Sequence, residues 1–138
     1  SNPFGPRQGH IGVQGVVNTF LRRIHGGEQI EIWGDGEVVR DYLDVTELAD
    51  LCVRAVTSDR EGAYNAGSGR GHTINEIVAA IRDVVDRDVS VVHKSARTLD
   101  VPRSILDTRR AAADFGWTCS PDFRTGIART WDWIKANA

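Results

Sequence analysis

An aromatic residue and an arginine flank a glycine-rich turn in IWGDGEVVRDYLDV, residues 32–45. Trp33 stands before the turn and Arg40 stands after it. An indole ring can stack on a nucleobase, and a guanidinium binds phosphate through two parallel hydrogen bonds that lysine cannot match. Each residue also has a structural alternative, because Trp33 can belong to the core and Arg40 can be a solvated charge or pair with Asp41. The stretch therefore leaves a nucleotide site and a structural role both open.

A second arginine, Arg97, lies in a polar stretch at residues 94–104 that also contains Asp100. Two arginines that converge from different loops can hold a diphosphate. The alternative is that Arg97 is a solvated surface charge.

A glycine loop at residues 67–71 has the context of a dinucleotide-binding loop, because it lies between a predicted strand and a predicted helix. Its spacing departs from G-x-G-x-x-G, since His72 stands where the third glycine belongs. We therefore predict a strand-to-helix turn, with Arg70 at its tip as a candidate neighbour of a ligand.

The remaining polar residues form no catalytic or metal-binding pattern. The four histidines are scattered and lack the spacing of metal ligands. Asp41 and Asp44 can be read as a pair of acids, but helix capping explains Asp44 more simply. The sequence predicts no metal site and no catalytic residue.

Composition narrows the class of protein. The chain has 138 residues and a net charge of -2, which suits one globular domain and lacks the basic excess of a nucleic-acid binder. No apolar run approaches the ~20 residues that span a bilayer, so we expect no membrane association. Two cysteines are too few for a disulfide framework, and Cys52 lies on an apolar helix stripe. We expect a buried free thiol there and a cytoplasmic location.

Periodicity predicts alternating helices and strands, hence an α/β fold with a small mixed sheet and packed helices. The turn at Gly34-Asp35-Gly36 is expected to join two strands of a hairpin. Asp44 paired with Glu47, and Thr73 paired with Glu76, are expected to cap the helices that follow them. The other predicted elements are a helix at 13–24, a strand at 63–66, a strand near 89–92, a helix at 107–115 and a helix from 122.

Five motifs in one order resemble the C-terminal half of NAD-dependent nucleotide-sugar epimerases and dehydratases. These enzymes are extended short-chain dehydrogenases such as UDP-galactose 4-epimerase. The similarity covers essentially the whole chain, residues 1–138, and rests on NPFGPRQ, WGDGEVVRDYLDVTELAD, YNAGSGRGHTINEI, ARTLDVPRSILD and FGW.

The resemblance implies a role for particular residues. Trp33 is expected to stack near the base of a nucleotide sugar, and Arg40 to hold its diphosphate. Asn2 is expected to reach the same diphosphate, and Arg70 to lie near the nucleotide. Pro3 is expected to touch the nicotinamide end of NAD. Two further expected ligands come from the late Arg-x-x-Asp motif: Arg97 for the diphosphate and Asp100 for a ribose hydroxyl.

The resemblance also implies what this sequence lacks. The cofactor loop and the Tyr-x-x-x-Lys pair of the family's N-terminal Rossmann domain are not found, since neither Tyr42 nor Tyr64 has a lysine four residues on. We therefore expect the substrate-binding part of a larger NAD-dependent enzyme, a UDP-hexose 4-epimerase, that is not catalytic alone and does not bind NAD tightly alone. Apolar surface facing the missing domain is expected to cause self-association, or disorder near residues 1–10 and 40–66.

Two alternatives remain open from the sequence. One is a free-standing module that binds nucleotide sugars or a protein partner without chemistry. The other is a fragment of a nucleotide-sugar 4,6-dehydratase or decarboxylase.

Overall fold

The computed structural model describes residues 1–8, 15–96, 101–120 and 122–137. These residues form six strands and five helices, so the predicted α/β class with a small mixed sheet is confirmed. The strands are β1 (Asn2–Phe4), β2 (Ile30–Trp33), β3 (Val39–Asp44), β4 (Gly71–Thr73), β5 (Val91–Lys94) and β6 (Arg103–Ser104). The helices are α1 (Val16–His25), α2 (Val45–Val56), α3 (Ile74–Arg82), α4 (Arg109–Phe115) and α5 (Phe123–Asn137).

Strand β3 is the centre of the larger sheet. Its second half pairs with β1 in parallel, with Asn2 opposite Tyr42. Its first half lies between β4, which is antiparallel, and β6, which is parallel, so Arg40 faces both His72 and Ser104 in register. A separate sheet joins β2 and β5 in parallel.

The predicted hairpin is wrong. The turn itself is present, with Gly34 and Gly36 at φ values of 81° and 80°. However, β2 pairs with β5 and β3 pairs with β1, β4 and β6, and no ladder joins β2 to β3 among the described residues. The turn is instead fastened to the start of α3, because the Asn75 backbone N–H donates to the Gly36 carbonyl at 3.2 Å and its side chain donates to the Asp35 carbonyl at 2.9 Å.

The strand predicted at residues 63–66 is also wrong. This segment is an irregular loop whose carbonyl groups accept hydrogen bonds from outside any ladder. Arg110 donates to the Ala63 carbonyl at 3.2 Å, and the amino terminus of Ser1 donates to the Ala66 carbonyl at 3.1 Å. These two carbonyl groups therefore have donors without a neighbouring strand.

Two apolar cores lie on opposite faces of β3. Side chains alternate along a strand, so Tyr42 packs into the main core and Leu43 into a smaller one. The main core is built from α1, α3, α5 and β2, and includes Leu21, Ile30, Ile77, Ile81, Ile127, Trp131 and Ile134. The smaller core contains Leu43, Leu51, Ala111 and Trp117.

Helix starts match the predicted caps with one difference. Thr73 and Glu76 form a reciprocal capping box at the start of α3. Asp44 caps α2 through the backbone N–H of Thr46 at 2.8 Å, whereas Glu47 accepts from the distant Ser120 backbone at 3.1 Å instead of completing a box.

The predicted burial of Cys52 is wrong, because its side of α2 faces outward. Cys52 is exposed, and the neighbouring Val53 and Val56 are 62% and 85% exposed. Only Leu51 of this helix is buried, and α2 contacts β1, β3 and α4. Residues 40–66 comprise most of β3, all of α2 and the loop that follows it, and the self-association or disorder expected from the sequence stays a prediction.

Candidate functional site

A cleft of about 780 Å³ opens between β1, α1, β2 and β3. It gathers four of the residues that the sequence singled out, which are Asn2, Pro3, Trp33 and Arg40. The cleft is large enough for a ligand the size of a nucleotide.

The parallel pairing of β1 with β3 places Asn2 opposite Tyr42, two positions along β3 from Arg40. The Asn2 side chain donates to the backbone carbonyl of Asp41 at 3.0 Å, which fastens the start of the chain to β3. Arg40 and Tyr42 lie on one face of β3 because their positions differ by two, and both line the cleft.

The Arg40 guanidinium is oriented by backbone oxygens. Its Nη1 donates to the carbonyl of Val39 at 2.9 Å and to the carbonyl of Val101. A guanidinium has five N–H donors in a rigid fork, so fixing one nitrogen sets the direction of the others.

Trp33 lies at the end of β2, where it is 46% exposed on the cleft. This exposure excludes the core position that the sequence had left open. The strand end is held by the Gly34 backbone N–H, which donates to the Lys94 carbonyl at 2.9 Å.

A charged group precedes Trp33 along the same wall. Glu31 lies two residues earlier on β2 and lines the cleft together with Arg23 of α1. Its carboxylate is 3.7 Å from Arg23 Nη1 and 3.8 Å from Lys94 Nζ. These partly exposed ion pairs are too long for hydrogen bonds, so they contribute little stability.

Asp41 faces away from the cleft and fastens the glycine loop. Its side chain is buried, with 1% of the residue exposed. It accepts hydrogen bonds from the Ser68 backbone and hydroxyl, both at 2.7 Å, from the Gly69 backbone at 3.1 Å and from the Leu106 backbone at 3.2 Å. The loop that resembled a phosphate cradle is therefore occupied by the protein's own carboxylate.

This role of Asp41 was not predicted from the sequence, in which Asp41 suggested an acid pair with Asp44 or an ion pair with Arg40. Strand alternation carried the signal, because it places Asp41 on the face opposite to Arg40 and next to the smaller core. The contact also explains Gly67, where an added Cβ would lie 2.7 Å from Asp41 Oδ2.

Arg70 lies away from the other predicted site residues. It lines a smaller pocket of about 140 Å³ that also contains Asp44, Cys119 and Arg129. In this pocket Arg129 Nη2 is 3.3 Å from Asp44 Oδ2. Burial, followed by nearby carboxylates, raises the pKa of Cys119 to about 11, so its thiol stays protonated at neutral pH. Two other predicted ligands, Arg97 and Asp100, lie outside the described residues, because both fall in the range 97–100.

Neither tyrosine has the properties of a catalytic base. Burial raises the pKa of Tyr42 to about 12, and the positive charge of nearby Arg40 only partly offsets this. A hydrogen bond to Asp114 is the main cause that raises the pKa of Tyr64. A tyrosine that removes a proton at neutral pH needs the opposite shift.

The described residues do not build a complete cofactor or metal site. Pro3 lines the cleft, but the N–H groups of Ser68 and Gly69 are already bound to Asp41 and offer no cradle for the phosphates of NAD. Within residues 1–8, 15–96, 101–120 and 122–137, no three His, Cys, Asp or Glu side chains are grouped to hold a metal ion. None of the helices in these ranges is long and apolar enough to cross a bilayer.

Comparison with known proteins identifies one family. The sequence profile of the NAD dependent epimerase/dehydratase family matches residues 1–67. GDP-L-fucose synthase 1 from Arabidopsis thaliana is 31% identical over 99% of this chain and 44% of its own length.

Two solved structures extend the similarity to the whole fold. UDP-glucose 4-epimerase from Thermotoga maritima, solved with UDP-glucose, is 34% identical with a TM-score of 0.91, over 98% of this chain and 44% of that one. UDP-glucose 4-epimerase from Thermus thermophilus, solved with NAD, is 33% identical with a TM-score of 0.89, over 99% of this chain and 45% of that one. The chain thus spans less than half the length of these relatives. It belongs to the NAD-dependent epimerase/dehydratase family and matches a C-terminal portion of its nucleotide-sugar enzymes.

Proposed function

We propose that the cleft binds the nucleotide diphosphate of a UDP-hexose, as the substrate-binding part of an NAD-dependent 4-epimerase. The observation that carries this proposal is the convergence of Trp33, Arg40 and Asn2 on one cleft from three different strands. The Thermotoga maritima relative, which was solved with UDP-glucose, supports the choice of ligand.

Each residue has a proposed role that follows from its chemistry. The indole of Trp33 stacks on the base, because every base has a π-face. The guanidinium of Arg40 holds the diphosphate, since an oriented fork matches two phosphate oxygens. Asn2 adds an amide hydrogen bond, and Pro3 lies toward the nicotinamide when NAD is bound.

Three further ligands belong to the same proposal. Arg97 holds the diphosphate from a second segment, and Asp100 binds a ribose hydroxyl. Arg70 approaches the nucleotide from the glycine loop, although it lines the smaller pocket in this structure.

This chain is proposed to bind and orient, and the hydride transfer of the parent enzyme is supplied by bound NAD. Remote contacts to base and diphosphate provide binding energy that positions the sugar. The raised pKa of Tyr42, about 12, supports a division of labour in which the catalytic base lies elsewhere in the enzyme.

A GDP-sugar is the second candidate substrate. The observation that favours it is the 31% identity to GDP-L-fucose synthase 1 from Arabidopsis thaliana. An aromatic platform accepts a purine as well as a pyrimidine, so the platform alone does not separate the two bases.

Calorimetric titration with UDP-glucose tests the proposal, with parallel titrations of UDP, GDP and UMP. We expect saturable binding that needs the diphosphate, so UMP binds less tightly than UDP. Arg40→Ala should weaken binding roughly ten- to hundredfold, since hydrogen bonds to charged groups contribute about 1.5–3 kcal/mol. Tighter binding of GDP than of UDP would select the second candidate.

A matched control is Arg124→Ala, which also removes an arginine. Arg124 is paired with Asp83 at 2.7 Å on the outside of α5 and does not line the cleft. The Arg124→Ala variant should bind UDP-glucose as tightly as the unaltered chain does. Absence of saturable binding at millimolar UDP-glucose, in a chain shown to be folded by circular dichroism, would contradict the proposal.

A further inference from the structure

We propose that Asp41 is a positioning residue for Arg40 and controls diphosphate affinity without touching the ligand. This inference rests on the proposed function, because it assigns a cause to the geometry of the Arg40 guanidinium. Asp41 lies on the face of β3 opposite to the cleft, so any effect on a ligand has to pass through other residues.

The Asp41 side chain is held by strong contacts. Four donors converge on a carboxylate that is almost fully removed from water, two from Ser68 and one each from Gly69 and Leu106. Hydrogen bonds to an ionised group are short and strong, and they offset the cost of burying the charge. Asp41 therefore fixes the Leu106 backbone relative to β3.

One short segment connects Leu106 to Arg40. Residues 101–106 run along β3, with Ser104 opposite Arg40 and the Val39 N–H bound to the Pro102 carbonyl at 2.9 Å. The Val101 carbonyl at the other end of this segment accepts a hydrogen bond from the Arg40 guanidinium. One end of the segment is thus anchored by Asp41 and the other end orients the cation.

Residues 101–106 depend on Asp41 for their position. Strand β6 has only two residues, and a ladder of two residue pairs contributes little stability by itself. Without the Asp41 contact, residues 101–106 would be held mainly by that short ladder. The Val101 carbonyl would then no longer fix the orientation of the Arg40 guanidinium. Each binding event would have to order this side chain, which lowers the affinity.

The substitution Asp41→Asn keeps the size of the side chain and changes its hydrogen bonding. An amide has one oxygen and one NH2 group. In either orientation the NH2 group faces backbone N–H donors, of Ser68 on one side or of Gly69 and Leu106 on the other. We expect Asp41→Asn to weaken UDP-glucose binding about tenfold, in line with the loss of a charge-assisted contact.

A double-mutant cycle separates positioning from general destabilisation. If Asp41 acts through Arg40, the double variant Arg40→Ala, Asp41→Asn binds no more weakly than Arg40→Ala alone. The control is Tyr64→Phe, which removes the 2.7 Å hydrogen bond from Tyr64 to Asp114 beside the same smaller core. This control should leave affinity unchanged.

All variants are titrated as folded 138-residue chains below their unfolding transition. The inference would be overturned if the double variant lost affinity by the product of the two single losses, those of Asp41→Asn and Arg40→Ala. Full affinity in Asp41→Asn, or an equal loss in Tyr64→Phe, would also overturn it. The inference and the proposed function fail differently: if Arg40→Ala binds as tightly as the unaltered chain, the proposed function fails, whereas if only Asp41→Asn does so, the inference fails alone.

If Asp41→Asn does not fold, Ser68→Ala tests the same chain of contacts. It removes one donor to the carboxylate and leaves the three backbone donors in place. A smaller loss of affinity that again disappears in the Arg40→Ala background is expected. An unchanged affinity would count against the inference.

Discussion

Replacing Gly126 with alanine should destabilise the chain, although this glycine lies inside a helix. In a helix interior alanine is normally favoured over glycine by about 1 kcal/mol. Gly126 is on the buried face of α5, where an added Cβ would lie 2.6 Å from Asp44 Oδ2 and 2.9 Å from the Phe4 ring. Contacts this short force a neighbour to move.

Neither neighbour can move at low cost. Phe4 is 3% exposed and its ring packs against Phe123 with centroids 5.1 Å apart. Asp44 caps α2 and is paired with Arg129. Overpacking typically costs about 1–3 kcal/mol, and the upper part of that range applies because two rigid groups are hit at once.

Subtracting the helix preference leaves a net loss of about 1–2 kcal/mol. With an unfolding entropy of about 2.1 cal/mol/K per residue, the melting temperature should fall by about 3–7 °C. Thermal and urea unfolding, followed by far-ultraviolet circular dichroism, measure both quantities.

The matched control is Gly26→Ala. Gly26 ends α1 with a φ of -74°, and a Cβ there meets only ordinary contacts at 3.4 Å or beyond. It should be neutral or slightly stabilising, through the lower entropy of the unfolded chain. Equal or greater stability of Gly126→Ala relative to the unaltered chain would refute the packing argument.

Four further predictions concern the chemistry of single side chains. Exposed Cys52 should react with a thiol reagent at pH 8 much faster than Cys119, whose pKa burial raises to about 11; equal rates would contradict this difference. Absorbance at 295 nm should show that less than half of the tyrosine is ionised at pH 10, because the pKa values of Tyr42 and Tyr64 are both raised; half-ionisation near pH 10 in the folded chain would contradict it. Because Tyr42 is buried in its neutral form, its contribution to stability is fully present below its unfolded pKa of about 10 and should be lost as pH rises through about 12. Unfolding free energies measured at a series of pH values test this. Asp44→Ala should cost about 1 kcal/mol by removing the α2 cap, measured by urea unfolding, while Asp44→Asn should cost less because its side-chain oxygen still accepts; equal losses would contradict the cap.

Local signals predicted the helices well. The cap residues Asp44 and Thr73 act where the sequence placed them, because capping depends on neighbours two or three positions away. The apolar stripes of α1, α3 and α5 face the main core as their periodicity indicates.

Strand partners were not predictable in the same way. The turn between β2 and β3 has the glycines of a hairpin, yet each strand pairs with another that is distant in sequence. Turn chemistry fixes the local path of the chain, whereas parallel partners are chosen by packing of the whole domain. The prediction for Cys52 failed for a related reason, since an apolar stripe does not say how much of it a neighbour covers.

The residue types of the candidate site were recognisable in the sequence, whereas the fold brings these residues together. Trp33 and Arg40 stood out by their chemistry, and the structure brings them to one cleft with Asn2. The resemblance supplied their expected roles. Asp41 was overlooked because its partners, at residues 68–69 and 106, are far away in the sequence.

The most direct test of nucleotide-sugar binding in the cleft is to follow the tryptophan indole signals in nitrogen–proton correlation spectra during titration with UDP-glucose. The chain has four tryptophans, of which Trp117 and Trp131 are buried and Trp33 is 46% exposed on the cleft. Trp33→Phe assigns the relevant resonance. We predict a saturable shift of the Trp33 signal, with the two buried indoles unchanged, and a much weaker response in Arg40→Ala. A Trp33 signal that stays in place at millimolar UDP-glucose would contradict the proposed site.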